Sequence, residues 1–134
     1  MGVIDELSSR VGDRTESSNK RVAERCLAEP LLLGDIAAHL QDPDAALAGD
    51  CAEVMTQVAQ REPAFVAPHA TLLVPLVSHK KTRVRWEAMH SLPLVAHLAP
   101  QTIAELLSAL ERIIHDDPSI IVRAYAVDAV GSYA

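Results

Sequence analysis

"VRWEAMHSL", residues 84–92, and "VRAYAVDAV", residues 122–130, align without gaps, and this pairing decides how the rest of the chain is read. Two earlier stretches fall into the same register, "LAGDCAEVM" at 47–55 and "VAERCLAEP" at 22–30. In all four the first residue is Val or Leu, the fifth is small (Cys26, Cys51, Ala88, Ala126), and the ninth is apolar except at Pro30. Positions i, i+4 and i+8 share one face of an α-helix. The spacing therefore predicts four copies of one helix, each with its small residue buried.

A second apolar period precedes these helices: "LLLGDIAAHL" at 31–40, "HATLLVPLVS" at 69–78, "TIAELLSALERII" at 102–114 and a weaker version, "VIDELSSRV", at 3–11. Each unit then reads helix, turn, helix. The turns "QDPDAA", "SHKKTR" and "HDDPSI" carry the Asp, Ser and Pro that cap and stop helices. The first turn, "GDRTESSNK", is longer and more polar and is expected to be the most mobile segment. Pro75 is expected to kink its helix, and Pro93 to do the same one helix later. Unit boundaries are placed at 1–29, 30–62, 63–100 and 101–134, within a single domain spanning 1–134.

Bulk composition agrees with this reading. Of 134 residues 49% are hydrophobic but only 3% are aromatic, so the apolar content is Ala, Leu, Val and Ile, which suits thin helical layers better than a thick β-sandwich core. The net charge of −6, from 12 Lys+Arg against 18 Asp+Glu, is opposed to a general nucleic-acid binder, whose affinity rests on basic groups displacing phosphate counterions. Cys26 and Cys51 cannot build a disulfide framework and have no C-x-x-C partner; both read as small core residues. The N-terminus lacks an apolar signal region, and no apolar run approaches the ~20 residues that span a bilayer. A cytoplasmic protein is expected.

A two-helix unit recurring every 30 to 50 residues is the sequence signature of an α-solenoid. "DDPSIIVRAYAVDAVGSYA" (116–134) and "HKKTRVRWEAMHSL" (79–92) resemble the HEAT repeat, whose pattern is an apolar helix, an Asp-Pro turn, then Val-Arg, a small residue and an apolar position. The resemblance covers 30–134 well and 1–29 loosely. It implies an all-α, right-handed superhelix of about four helical hairpins, eight helices in all, with the first helix of each pair on the convex side and the Val-Arg helix on the concave side. It also implies a polar ladder between neighbouring turns, carried here by Asp42, Asp44, Arg85, Asp116, Asp117 and Arg123. This chain departs from the ladder, with Ala23 and Ala48 in place of the Arg in the first two units and His79-Lys80-Lys81 in place of the Asp-Pro turn in the third.

Two residues to either side of each small buried position point away from the core seam, at about 100° per residue. The earlier row reads Glu24, Gly49, Trp86, Ala124 and the later row Ala28, Glu53, His90, Asp128. With helices about 8–10 Å apart, Glu53 and Asp128 bracket His90, one turn from the only Trp in the chain. Three readings of this group stand. It is a solvated polar face with a half-exposed Trp; or Trp86, flanked by the small Gly49 and Ala124, anchors a peptide or helix, with Met89 and His97 extending the same surface; or His90 is polarised by a carboxylate, as a base or, with His97, as a metal site. Metal ligation needs donors within about 2.0–2.6 Å of one ion, which three separate helices rarely supply, and no metal or other cofactor is expected. His39, His79 and His115 recur at the ends of first helices, where a cation suits the macrodipole and a carbonyl can be capped.

No phosphate loop, G-x-S-x-G elbow, H-E-x-x-H pair or dinucleotide fingerprint is present, and five Gly in the whole chain exclude a glycine-rich cradle. The expectation is a non-catalytic protein- or peptide-binding scaffold, with a partner of basic character. The alternative is a nucleic-acid-binding or DNA-glycosylase-like HEAT module using the basic segment 79–86, although Glu53, Glu87 and Asp128 share that face. Finally, Ile120, Ile121, Tyr125, Val127, Ala129 and Tyr133 exceed what one buried stripe uses, so the C-terminal helix pair is expected to be covered, most simply in a two-fold homodimer.

Overall fold

Three long helices carry the repeated register. They are α2 (Ser17–Ala28), α4 (Ala45–Arg61) and α7 (Thr82–Val95), and in each the predicted positions are inside: Val22 and Cys26, then Leu47, Cys51 and Met55, then Val84, Ala88 and Leu92, all at most 5% exposed. The computed structural model describes residues 2–102 together with 106, 107 and 111. The expectations for Asp116, Asp117, Arg123, Ala126, Asp128 and the C-terminal apolar surface lie outside these residues. Among the described residues every regular element is helical and no strand occurs.

Helix α4 packs against α2 on one side and α7 on the other. The small residues at the fifth register position allow this approach, because a Cys or Ala side chain leaves room for the neighbouring backbone. The remaining elements are short. α1 (Ser8–Val11) follows a 3-10 turn at Val3–Glu6; α3 (Leu33–Ala38) follows one at Pro30–Leu32; and α5 (Pro63–Val66) and α6 (Ala70–Leu73) alternate with 3-10 turns at Ala67–His69 and Val74–Ser78. α3 lies against α4, and α6 with its following turn lies against α7, so Leu33, Ile36, Leu73, Leu76 and Val77 complete one core with the long helices.

The helices expected over 31–40 and 69–78 are thus not continuous. Pro63 is the first residue of one short element and Pro68 and Pro75 the second residues of two others, because a proline removes one helical donor and clashes with the preceding turn. Pro93 lies inside α7, which continues to Val95.

The joints between units have a common backbone. Glu29, Glu62 and Ala99 sit at φ −139°, −138° and −133° with ψ 84°, 76° and 57°, and each precedes a proline that opens the next element, Pro30, Pro63 and Pro100. The proline ring excludes the α region for the residue before it, so each long helix ends there or shortly before. Inside the units the turns are closed by side chains. Asp44 caps α4 by accepting from the Ala46 N–H at 3.0 Å, and Asp42 accepts from the Asp44 N–H at 2.9 Å. α1 ends on Gly12, whose φ of 73° is the left-handed C-cap that glycine adopts without strain. The segment expected to be most mobile is tied through Asp13, whose carboxylate accepts from the N–H and hydroxyl of both Thr15 and Ser18.

Candidate functional site

A groove of about 470 Å³ runs across α2, α4 and α7. Its walls are Lys20, Ala23 and Glu24 from α2, Glu53, Thr56 and Gln57 from α4, and Trp86, Glu87 and His90 from α7. The Trp86 and His90 rings lie 6.1 Å apart, tilted by 38°, on consecutive turns of α7. Three of the expected surface residues, Trp86, His90 and Glu53, therefore line one groove.

Two others do not. Met89 is 0% exposed and belongs to the core: it lies one residue beyond Ala88, on the flank of α7 that the second layer covers. His97 is exposed on the 3-10 turn Ala96–Leu98, beyond the end of α7 and off the groove. Gly49 does not leave a hollow beside the indole either, because a Cβ there would stand 2.7 Å from Arg83 Nη1. The Arg83 guanidinium lies over that glycine.

Arg83 is held by a hub that links three units. Asp50, 2% exposed, accepts from the Ser9 N–H at 2.8 Å, from Asn19 Nδ2 at 3.0 Å and from Arg83 Nη2 at 3.0 Å. Asn19 in turn accepts from the Ser8 N–H at 2.9 Å, and Arg83 also reaches Glu53 at 3.1 Å. Burial pushes the Asp50 carboxyl up, but the bonds from Ser9, Asn19 and Arg83 outweigh it and hold the group below its ordinary value.

Glu87 is the opposite case. Only 3% exposed, its carboxyl is pushed up to about 8, first by burial and then by the charge of Glu53. Glu53 is itself raised, chiefly by burial, with Arg83 opposing. One turn further along the same seam, the Thr56 and Ser91 hydroxyls bond each other across α4 and α7. The sequence reading did not mark Asp50, and it took Glu87 only as an acid on the same face as Glu53. The signal is their common register, since each stands immediately before a small buried residue, Cys51 and Ala88, whereas Arg25 at the matching place before Cys26 is exposed and pairs with Glu6.

Among the described residues the turn charges make the following contacts. Arg85 is 7% exposed and folds back on its own turn, donating to the His79 carbonyl at 2.7 Å and to Thr82 Oγ1 at 2.9 Å. Asp42 lies 3.2 Å from His39 Nδ1, and Asp44 pairs with Arg10 of the first unit. His79 accepts from the Lys81 N–H at 3.0 Å. Burial, followed by Lys80, Arg85 and Lys81, lowers its pKa, so it serves as a neutral acceptor instead of the expected cation at a helix end.

Among the described residues no group of three or more His, Cys, Asp or Glu side chains is placed to hold a metal ion, and no helix is long and apolar enough to cross a membrane. Compared with protein-family models, with curated proteins and with solved structures, the chain matches none.

Proposed function

We propose that this protein is a short, right-handed HEAT-like solenoid of four hairpins that works in the cytoplasm as a non-catalytic binding module, and that the groove across α2, α4 and α7 receives a basic segment of a partner protein. The observation that carries this reading is the half-buried Trp86 in a groove crossed by three helices and walled by Glu24, Glu53 and Glu16. Trp is among the side chains that dominate interface energetics, and carboxylates beside it favour a Lys- or Arg-bearing segment through charge complementarity. The equal joints at Glu29, Glu62 and Ala99 and the shared register of α2, α4 and α7 support the solenoid.

The nucleic-acid alternative loses support from the same contacts. Of the cations in 79–86, Arg83 is bound to Asp50 and Glu53, and Arg85 is buried against its own turn. Besides these the segment offers the exposed Lys80 and Lys81, too few to displace many phosphate counterions.

Selection from a random peptide library, with Trp86→Ala and Glu53→Gln proteins as counter-screens, tests the proposal. Enriched sequences should carry Lys or Arg, shift the fluorescence of the single Trp, and bind both variants at least about tenfold more weakly. Absence of enrichment, or binders indifferent to both substitutions, refutes it.

A further inference from the structure

Glu53 is reached from two hollows. One is the groove beside Trp86. The other, of about 410 Å³, is walled by Ser9, Asp13 and Asn19 of the first hairpin and by Asp50 and Arg83. Glu53 lines both, so its side chain stands in the wall between them. Its carboxylate oxygens are engaged from different directions. Oε1 accepts from Gln57 Nε2 at 3.2 Å, within α4, and Oε2 accepts from Arg83 Nη2 at 3.1 Å, across to α7.

Arg83 thus already supplies to Glu53 what a basic partner would bring. The same Nη2 also donates to Asp50 at 3.0 Å, and the two bonds differ in how firmly they are held. The Asp50 side chain is 3% exposed and fixed by the Ser9 N–H and the Asn19 amide. The Glu53 and Arg83 side chains are 15% and 43% exposed, and an ion pair open to water on one side is weak and screened by salt. The guanidinium comes to rest between the two acids because α4 has no side chain beneath it. A Cβ on Gly49 would stand 2.7 Å from Arg83 Nη1 and 3.0 Å from its Cζ.

We propose that Arg83 is a built-in competitor for the groove: it occupies Glu53, and a partner's Lys or Arg takes that carboxylate by displacing Arg83, which stays on Asp50. The inference rests on the groove being the receptor for a basic segment. Gly49 then sets the affinity of the site, since its bare backbone is what lets the competitor lie down. The second hollow gives the displaced guanidinium room without breaking its bond to Asp50.

The test is the affinity of a blocked tetralysine peptide, followed by the emission of the single Trp and by calorimetry, for the full chain and four variants. Gly49→Ala leaves every charge in place and pushes aside only the far end of a flexible side chain. It should bind the peptide about two- to fivefold more tightly, the worth of one exposed ion pair. Arg83→Gln should gain at least as much, and more than Lys80→Gln, which removes one exposed positive charge from outside the Glu53 contact. Adding Glu53→Gln to Gly49→Ala should abolish the gain. If Arg83→Gln weakens the fold through Asp50, Gly49→Ala decides the matter alone. Wild-type binding that Gly49→Ala leaves unchanged or weakens overturns the competitor while the groove reading stands; equal gains from Arg83→Gln and Lys80→Gln with none from Gly49→Ala do the same. Failure of every protein, wild type included, to bind the peptide overturns both.

Discussion

Replacing Glu87 by Gln should make the protein more stable at alkaline pH, by an amount that follows from where the carboxyl sits. In the unfolded chain the group ionises near 4.5, and in the folded protein near 8. Between those values the folded state holds a proton that the unfolded state has released, so stability falls as pH rises, by about 1.4 kcal/mol per pH unit. Below 4.5 both states are protonated and the effect vanishes; above 8 both are ionised and the loss is complete. Over the whole interval the loss is about 5 kcal/mol, and at pH 7 it is already about 3 kcal/mol. These are ceilings, since relaxation around the buried carboxylate returns part of the loss. Glutamine has almost the same shape and carries no charge to desolvate. Urea unfolding at pH 5, 6, 7 and 8 should give a difference between variant and wild type that widens steadily with pH, while contributions from all other groups cancel. A difference that stays constant across this range would refute the reasoning, because it would mean that Glu87 ionises alike in both states.

The Asp50 hub gives a change of the reverse sign. Asp50→Ala leaves the Ser9 N–H, the Asn19 amide and the Arg83 guanidinium without their acceptor and should cost about 3–5 kcal/mol, read as a lowered urea midpoint. Because the Asp50 carboxyl is held below its ordinary value, its stabilisation is present above the unfolded pKa and lost as pH falls through the folded one, so the difference between wild type and Asp50→Ala should shrink under acid. Cys26 and Cys51, both 0% exposed with raised thiol pKa values, should not react with a thiol reagent at pH 8 until denaturant is added; rapid native-state labelling would show that the seam opens locally. Titration with duplex DNA should give no salt-sensitive binding, and affinity lost on substituting Lys80 and Lys81 would restore the nucleic-acid reading.

The register of the long helices was legible because burial repeats at helical spacing: Cys26, Cys51 and Ala88 are small, equivalent and hidden. Its partner helices were less so. The apolar positions of 31–40 and 69–78 are inside, as Ile36, Leu73 and Leu76 show, but apolar spacing registers a buried face whether the backbone is α or alternates with 3-10, and the prolines decided between them. The face around Trp86 followed from counting along α7, yet the same counting misplaced Met89, since a helix covered by two layers buries a wider arc than one seam requires. The acids on the seam were hidden for a different reason. A Glu or Asp in a helix reads as solvated by default, and the hydrogen bonds supplied from other units make Asp50 tolerable inside. Those partners, Ser9, Asn19 and Arg83, are as much as 41 residues away, too far for any local pattern.

The joints at Glu29-Pro30 and Glu62-Pro63 are the same dipeptide in nearly the same conformation. In backbone terms, removing residues 30–62 would rejoin Glu29 to Pro63 and restore an identical corner, so the chain is built in a way that lets whole units be spliced out or duplicated without inventing a new connection. The carboxylate of Asp50 works against this freedom. It fastens the unit before and the unit after to the one in the middle, and a shortened chain would keep its corners while losing the clasp between them.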